Sequence, residues 1–177
     1  LVVQGFDDAE AEAVARAHLL AVGARAWQPP TFRKKPRPAA LKTVHLLGLR
    51  ANLDARRTLV ELEATNLVRW LTALPANKLS AGAYRQLLAA LARKQGWDFD
   101  WLDMTALRKQ GAGAFLAVAQ GNAQPDAGIA RLRRRPDGAG AGSSADVALV
   151  GKGIIFDTGG TNLKTAPHML DMHTDMA

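Results

Sequence analysis

The 177-residue chain contains no cysteine, which excludes disulfide bonds and thiolate metal sites. Any metal ion would therefore have to bind oxygen and nitrogen ligands. No apolar run approaches the roughly 18 residues that a membrane-spanning helix needs, so we expect no membrane partner. Glutamate is scarce as well, and occurs only at positions 10, 12, 61 and 63. This composition agrees with a soluble intracellular protein.

Positive charge is in excess, with a formal net charge of +7. The excess is concentrated in two clusters, residues 33–37 and 131–135, which lie in or beside proline-containing loops. Solvated loops explain such clusters, and a patch for nucleic acid or an acidic partner is the alternative. Aromatic residues are not interleaved with the arginines, so stacking on single strands is not indicated. Nucleic-acid binding through these loops is therefore a secondary hypothesis.

Hydrophobic periodicity predicts helices that alternate with strands, which favours an α/β fold with a mixed sheet covered by helices on both faces. We place a small N-terminal α/β remnant and connector at residues 1–53, and part of a catalytic domain at residues 54–177. The predicted helices cover residues 7 to about 26, 56–74, 81–95 and 105–110. The predicted strands cover residues 43–49, 99–102, 115–119, 129–132 and 147–150.

The most informative stretch follows the last predicted strand. Residues 151–164 read Gly-Lys-Gly-Ile-Ile-Phe-Asp-Thr-Gly-Gly-Thr-Asn-Leu-Lys, and Asp175 comes eleven positions later. Carboxylates bridge and charge-balance paired divalent ions, so Asp157 and Asp175 are candidate metal ligands. The amine of Lys152 can ligate when burial and nearby cations neutralise it. Lys164 is the candidate for a fixed cation that faces a developing oxyanion. Taken alone, Asp157 before Thr-Gly-Gly could instead be a turn residue that binds local amides.

This spacing resembles the leucyl (cytosol) aminopeptidases, two-metal exopeptidases whose first metal segment reads G-K-G-x-x-F-D-[ST]-G-G-x-x-[LI]-K and is followed by a D-M pair. Residues 151–164 and the pair Asp175-Met176 match every named position. A weaker similarity extends back to about Arg57 and includes residues 65–69, 74–77 and 113–121.

The resemblance implies a metal-dependent aminopeptidase that releases N-terminal residues such as leucine from peptides with a free N-terminus. It implies a hydroxide activated by two divalent ions, zinc or manganese, with Lys152, Asp157 and Asp175 as ligands and Lys164 as the oxyanion-stabilising group. It also implies a cytoplasmic protein that forms a homo-oligomer, often a hexamer.

One part of the family's site is missing from the sequence. The family's second ligand segment, of the N-T-D-A-E-G-R type, occurs nowhere in the 177 residues. We therefore expect the chain to be a fragment of a longer enzyme that carries only part of the site. The alternative is a non-catalytic relative or assembly module with the same fold.

Overall fold

The computed structural model describes residues 2–32, 41–50, 53–136, 138, 144 and 147–176. The chain divides into two compact units, Leu1–Leu74 and Pro75–Ala177. Helices and a small sheet occur together, which confirms the α/β class. No helix among the described residues has both the length and the apolar character to cross a membrane. The domain boundary predicted near Leu53 stays a prediction.

The first unit is built on two helices that pack on each other, α1 (Asp8–Ala26) and α2 (Arg56–Thr72). Helix α1 begins with a reciprocal capping box between Asp7 and Glu10. The strand predicted over residues 43–49 is reduced to a parallel bridge at Leu47, where the Val3 amide donates to the Leu47 carbonyl at 2.8 Å. The buried residues of this unit are small or aliphatic, apart from one threonine: Val3, Ala11, Ala15, Thr58, Leu71 and Leu74.

Arg69 of α2 fixes the end of α1. Its guanidinium donates to the carbonyl of Ala24 at 2.7 Å and lies 4.3 Å from the ring centroid of Trp27. The last carbonyls of a helix lack partners within the helix, so a cationic donor at this position satisfies one of them. The two helices are thus joined by a charged hydrogen bond and a cation–π contact.

The second unit begins with α3 (Ala81–Gln95), which packs against both strands of an antiparallel sheet. Ser80 caps its start, and Gly96 ends it at a φ of +67°, as expected for a left-handed C-terminal glycine. Strand β1 (Asp98–Asp103) pairs with β2 (Gly128–Arg133) over six residues, in a register that places Asp98 opposite Arg133. The sheet of the described residues therefore has two strands.

Short helices complete the second unit: α4 (Met104–Lys109), α5 (Gly113–Ala119), α6 (Ala166–Leu170) and a 3-10 turn (Met172–Asp175). The prediction of a strand over residues 115–119 was wrong, because these residues belong to α5. Short apolar runs fit a strand or a helix equally well by periodicity, and here the chain turns at Gly111, whose φ is +71°, and continues as a helix. The buried side chains of this unit are Leu79, Ala92, Leu107, Met172 and Met176.

Candidate metal centre

Residues 147–150 were predicted as a buried strand that delivers the site. In the structure they have no regular secondary structure and no strand partner among the described residues. Val150 is 99% exposed and Leu149 is 94% exposed, so the prediction of burial is wrong for this chain. An extended apolar segment becomes a buried strand only when another strand supplies hydrogen bonds and other elements cover its faces.

Asp157 and Lys164 are brought together by a closed loop. The amide of Lys164 donates to the carbonyl of Thr158 at 2.9 Å, and the amide of Gly159 donates to the Asp157 carboxylate at 2.9 Å. Gly159 and Gly160 both have positive φ values, +92° and +71°, which glycine adopts without steric cost. The loop turns the side chain of Lys164 back, so its ammonium donates a hydrogen bond to Oδ1 of Asp157.

Lys152 and Asp175 form a second ion pair. The 3-10 turn presents Asp175, and its Oδ2 accepts from the Lys152 ammonium at 2.8 Å. This pair is open to solvent, with the two side chains 62% and 56% exposed, whereas the Lys164–Asp157 pair is more enclosed at 29% and 40%. The structure thus brings the four predicted site residues together as two lysine–aspartate pairs.

The two pairs are electrostatically connected. The hydrogen bond from the Lys164 ammonium is the main cause that lowers the pKa of Asp157. Partial burial acts in the opposite direction, while the Gly159 amide and the positive charge of Lys152 lower the pKa further. Asp157 is therefore an ionised carboxylate at neutral pH. The charge of Lys152, whose ammonium binds Asp175, is the smallest of these influences on the pKa of Asp157.

The chemistry of these donors fits part of a divalent metal site. The hydrogen bonds of the described residues use Oδ1 of Asp157 and Oδ2 of Asp175, so each carboxylate keeps one oxygen for a cation. Within the same residues, however, no three His, Asp or Glu side chains converge into a cluster that could hold a metal. Two divalent ions need more ligands than two carboxylates and one amine supply.

The sequence analysis missed one residue at the centre of this arrangement. Met172 is 3% exposed, and its sulfur accepts a hydrogen bond from the amide of Asp157 at 3.4 Å. Met172 also opens the 3-10 turn that ends at Asp175. Its place three residues before Asp175 is visible in the sequence, but no spacing rule shows that its sulfur accepts this particular amide.

The structure also describes one of the two basic clusters. Residues 33–37 lie outside the described part of the chain. In the second cluster, Arg131 pairs with Asp100 at 2.7 Å and Arg135 pairs with Asp98 at 2.8 Å. These carboxylates offset part of the positive charge that a nucleic-acid surface would need.

Comparison with known proteins shows which family the chain resembles. The model of the cytosol aminopeptidase family, catalytic domain, matches residues 66–177. Similar proteins, each named "Probable cytosol aminopeptidase", occur in Parasynechococcus marenigrum (35% identity), a Synechococcus species (36%) and Solibacter usitatus (35%). The matches to the first two cover 94% of this chain and 34% of each relative, and the third covers 85% and 31%.

The chain spans about a third of the length of these curated relatives. No solved structure matches it. The family match includes all four candidate site residues, and the similarity to the first two relatives extends over nearly the whole chain. The chain therefore belongs to the cytosol aminopeptidase family.

Proposed function

We propose that this chain carries part of a two-metal aminopeptidase site that releases N-terminal residues, leucine among them, from peptides. The observation that carries the proposal is the joining of Lys152, Asp157, Lys164 and Asp175 in one connected arrangement of charges. Ion pairs at the protein surface stabilise the fold by at most about 1 kcal/mol each. A chemical role explains their clustering better than a structural one.

In this proposal Lys152, Asp157 and Asp175 hold the metal ions. Two divalent ions, zinc or manganese, would supply an activated water nucleophile and polarise the scissile carbonyl when bound. The ionised carboxylate of Asp157 is ready to accept a cation without first losing a proton. Lys152 already contacts Asp175, so an ion bound to that carboxylate would meet a second donor on a neighbouring segment once the Lys152 ammonium has released its proton to solvent.

Lys164 acts on the substrate instead of binding metal. In the structure its ammonium binds Oδ1 of Asp157, and a cation on the other carboxylate oxygen would repel the ammonium and weaken this hydrogen bond. The ammonium would then be available to stabilise the negative charge that develops on the carbonyl oxygen of the substrate. A fixed cation in such a position is worth several kcal/mol, because it needs no reorganisation during the reaction.

The substrates in this proposal are peptides with a free N-terminus, and the protein works in the cytoplasm as a homo-oligomer, a hexamer by resemblance to the family. The names of the relatives support an aminopeptidase of the cytosol. Further metal ligands would join those of this chain in the complete site.

The test is hydrolysis of leucine amide by the purified protein, after metal removal and after addition of manganese or zinc. We expect cleavage that needs metal and stops with a chelator. Absence of cleavage with every metal, together with absence of metal binding in a calorimetric titration, would contradict the proposal. That result would favour the non-catalytic relative or assembly module.

Variants locate the site. Asp157→Asn and Asp175→Asn keep the side-chain shape but remove the charge. Loss of a group that only hydrogen-bonds to a metal ligand lowers metal affinity by roughly 10- to 100-fold, so loss of a ligand itself should lower it by more. Asp171→Asn is the matched control, because Asp171 is an exposed carboxylate next to the same turn and its described contacts use the backbone carbonyl. Its metal affinity should stay within about twofold of the original.

A further inference from the structure

The amide of Asp157 has an unusual partner. It donates to the sulfur of Met172 at 3.4 Å, across fifteen residues of sequence. The other hydrogen bonds of Asp157, from Gly159 and Lys164, reach its carboxylate. The sulfur is therefore the contact that holds the backbone of Asp157 among the described residues. A thioether is a weak acceptor, but a half-buried amide that loses its only acceptor is destabilised.

Met172 also determines where Asp175 lies. It is the first residue of the 3-10 turn, and Asp175 is the last. The turn is held internally, since the amide of Thr174 donates to the carbonyl of Asp171 at 3.0 Å. Met172 and Met176, which are 3% and 4% exposed, bury the two ends of the turn. A contact at Met172 therefore fixes the turn, and with it the carboxylate of Asp175.

We propose that Met172 is a positioning residue, whose sulfur sets the separation of the Asp157 and Asp175 carboxylates. The inference rests on the proposed function, because the separation matters only if both carboxylates bind metal. Paired ions lie about 3.5–4 Å apart, so their ligands must be held to within about 0.5 Å. The hydrogen bond from Asp157 to Met172 joins the loop that carries one ligand to the turn that carries the other.

Two substitutions separate positioning from packing. Met172→Leu keeps the volume and the apolar character but removes the acceptor. Met172→Gln keeps the length and supplies an acceptor oxygen, at the cost of a buried polar group. If Met172 only fills space, Leu is the better replacement in every respect. If Met172 positions Asp157, Gln preserves metal affinity better than Leu although the protein is less stable. Met176→Leu is the matched control at the other end of the turn.

The first readout is calorimetric titration of the metal-depleted protein with manganese alone. We expect Met172→Leu to weaken binding about tenfold, as the loss of an outer-shell partner does, and Met176→Leu to stay within about twofold. The second readout needs no metal: the amide of Asp157 should exchange its hydrogen several-fold faster in Met172→Leu and at the original rate in Met176→Leu.

The outcomes are distinguishable. Equal metal affinity and equal Asp157 exchange in Met172→Leu and Met176→Leu, in a protein that does bind metal, overturn the positioning role alone. An original protein that binds no metal overturns the proposed function, and the metal-positioning role with it. If Met172→Leu does not fold, Met172→Gln decides the question: retained affinity supports positioning, and a tenfold loss despite the acceptor overturns it.

Discussion

Gly159 offers the sharpest test of how the loop presents Asp157 and Lys164. An added Cβ at this position would lie 2.9 Å from the carbonyl oxygen of Asn162 and 3.1 Å from both the amide nitrogen and Cγ of Lys164. The neighbouring Gly160 also has a positive φ, yet a Cβ there would meet no atom within 4 Å. Gly159→Ala therefore adds a steric clash to backbone strain, whereas Gly160→Ala adds strain alone.

The magnitudes follow from these contacts. A residue other than glycine in the left-handed region costs about 1–2 kcal/mol, and both substitutions carry this cost. Crowding against the backbone atoms of this closed loop costs about 1–3 kcal/mol more, and only Gly159→Ala carries it. The closed loop should therefore be destabilised by about 2–5 kcal/mol in Gly159→Ala and by about 1–2 kcal/mol in Gly160→Ala.

Two measurements check this prediction. Hydrogen exchange at the Lys164 amide, which closes the loop onto Thr158, reports loop opening directly. Manganese titration reports the effect on the carboxylate of Asp157. Gly159→Ala should exchange faster and bind metal more weakly than Gly160→Ala. Equal effects of the two substitutions would refute the reasoning, because they would show that the contacts with Asn162 and Lys164 carry no cost.

Three further predictions concern stability. Gly128→Ala should lower the free energy of unfolding by about 1–3 kcal/mol in a urea titration, because the added Cβ would lie 2.5 Å from the Trp101 ring and 2.6 Å from the Leu102 carbonyl oxygen; an unchanged midpoint would contradict this. Arg69→Lys should cost about 1–2 kcal/mol, since lysine keeps the charge but loses the planar contact with the indole ring beside it; the same titration measures it, and no loss would contradict it. Burial raises the pKa of Tyr84, so Tyr84 ionises at a lower pH in the unfolded state than in the folded state. The free energy of unfolding should therefore fall as the pH rises from about 10 through the folded pKa. Tyr84→Phe should make stability less dependent on pH in that range, and an identical pH profile would contradict it.

Much of the helical structure could be predicted from local signals. Helix α3 occupies the predicted residues 81–95, because Ser80 caps its start and Gly96 supplies its left-handed end. Helix α2 ends at Thr72, two residues before the predicted end, because the chain leaves the helix ahead of Pro75. The strands at 99–102 and 129–132 were predicted correctly, and each extends by one residue at both ends in the paired sheet. Capping and periodicity are local properties of the chain, so they can be recognised without knowledge of the tertiary fold.

The strand predictions that failed depended on partners elsewhere. Residues 115–119 form part of α5, and residues 147–150 have no regular secondary structure and no strand partner among the described residues. An apolar run of four or five residues carries no period long enough to separate strand from helix. Its conformation depends on whether another strand supplies hydrogen bonds, and that information lies in distant residues.

The sequence by itself determined which residues of this protein are candidates for the chemistry. The spacing of Lys152, Asp157, Lys164 and Asp175 was sufficient to indicate both the family and a candidate site, because motif spacing is a property of the chain. Only the tertiary structure decided how these residues pair and that Met172 joins their two segments. Such contacts link residues 7 to 23 positions apart, and they form only where turns, burial and hydrogen bonds bring those positions together.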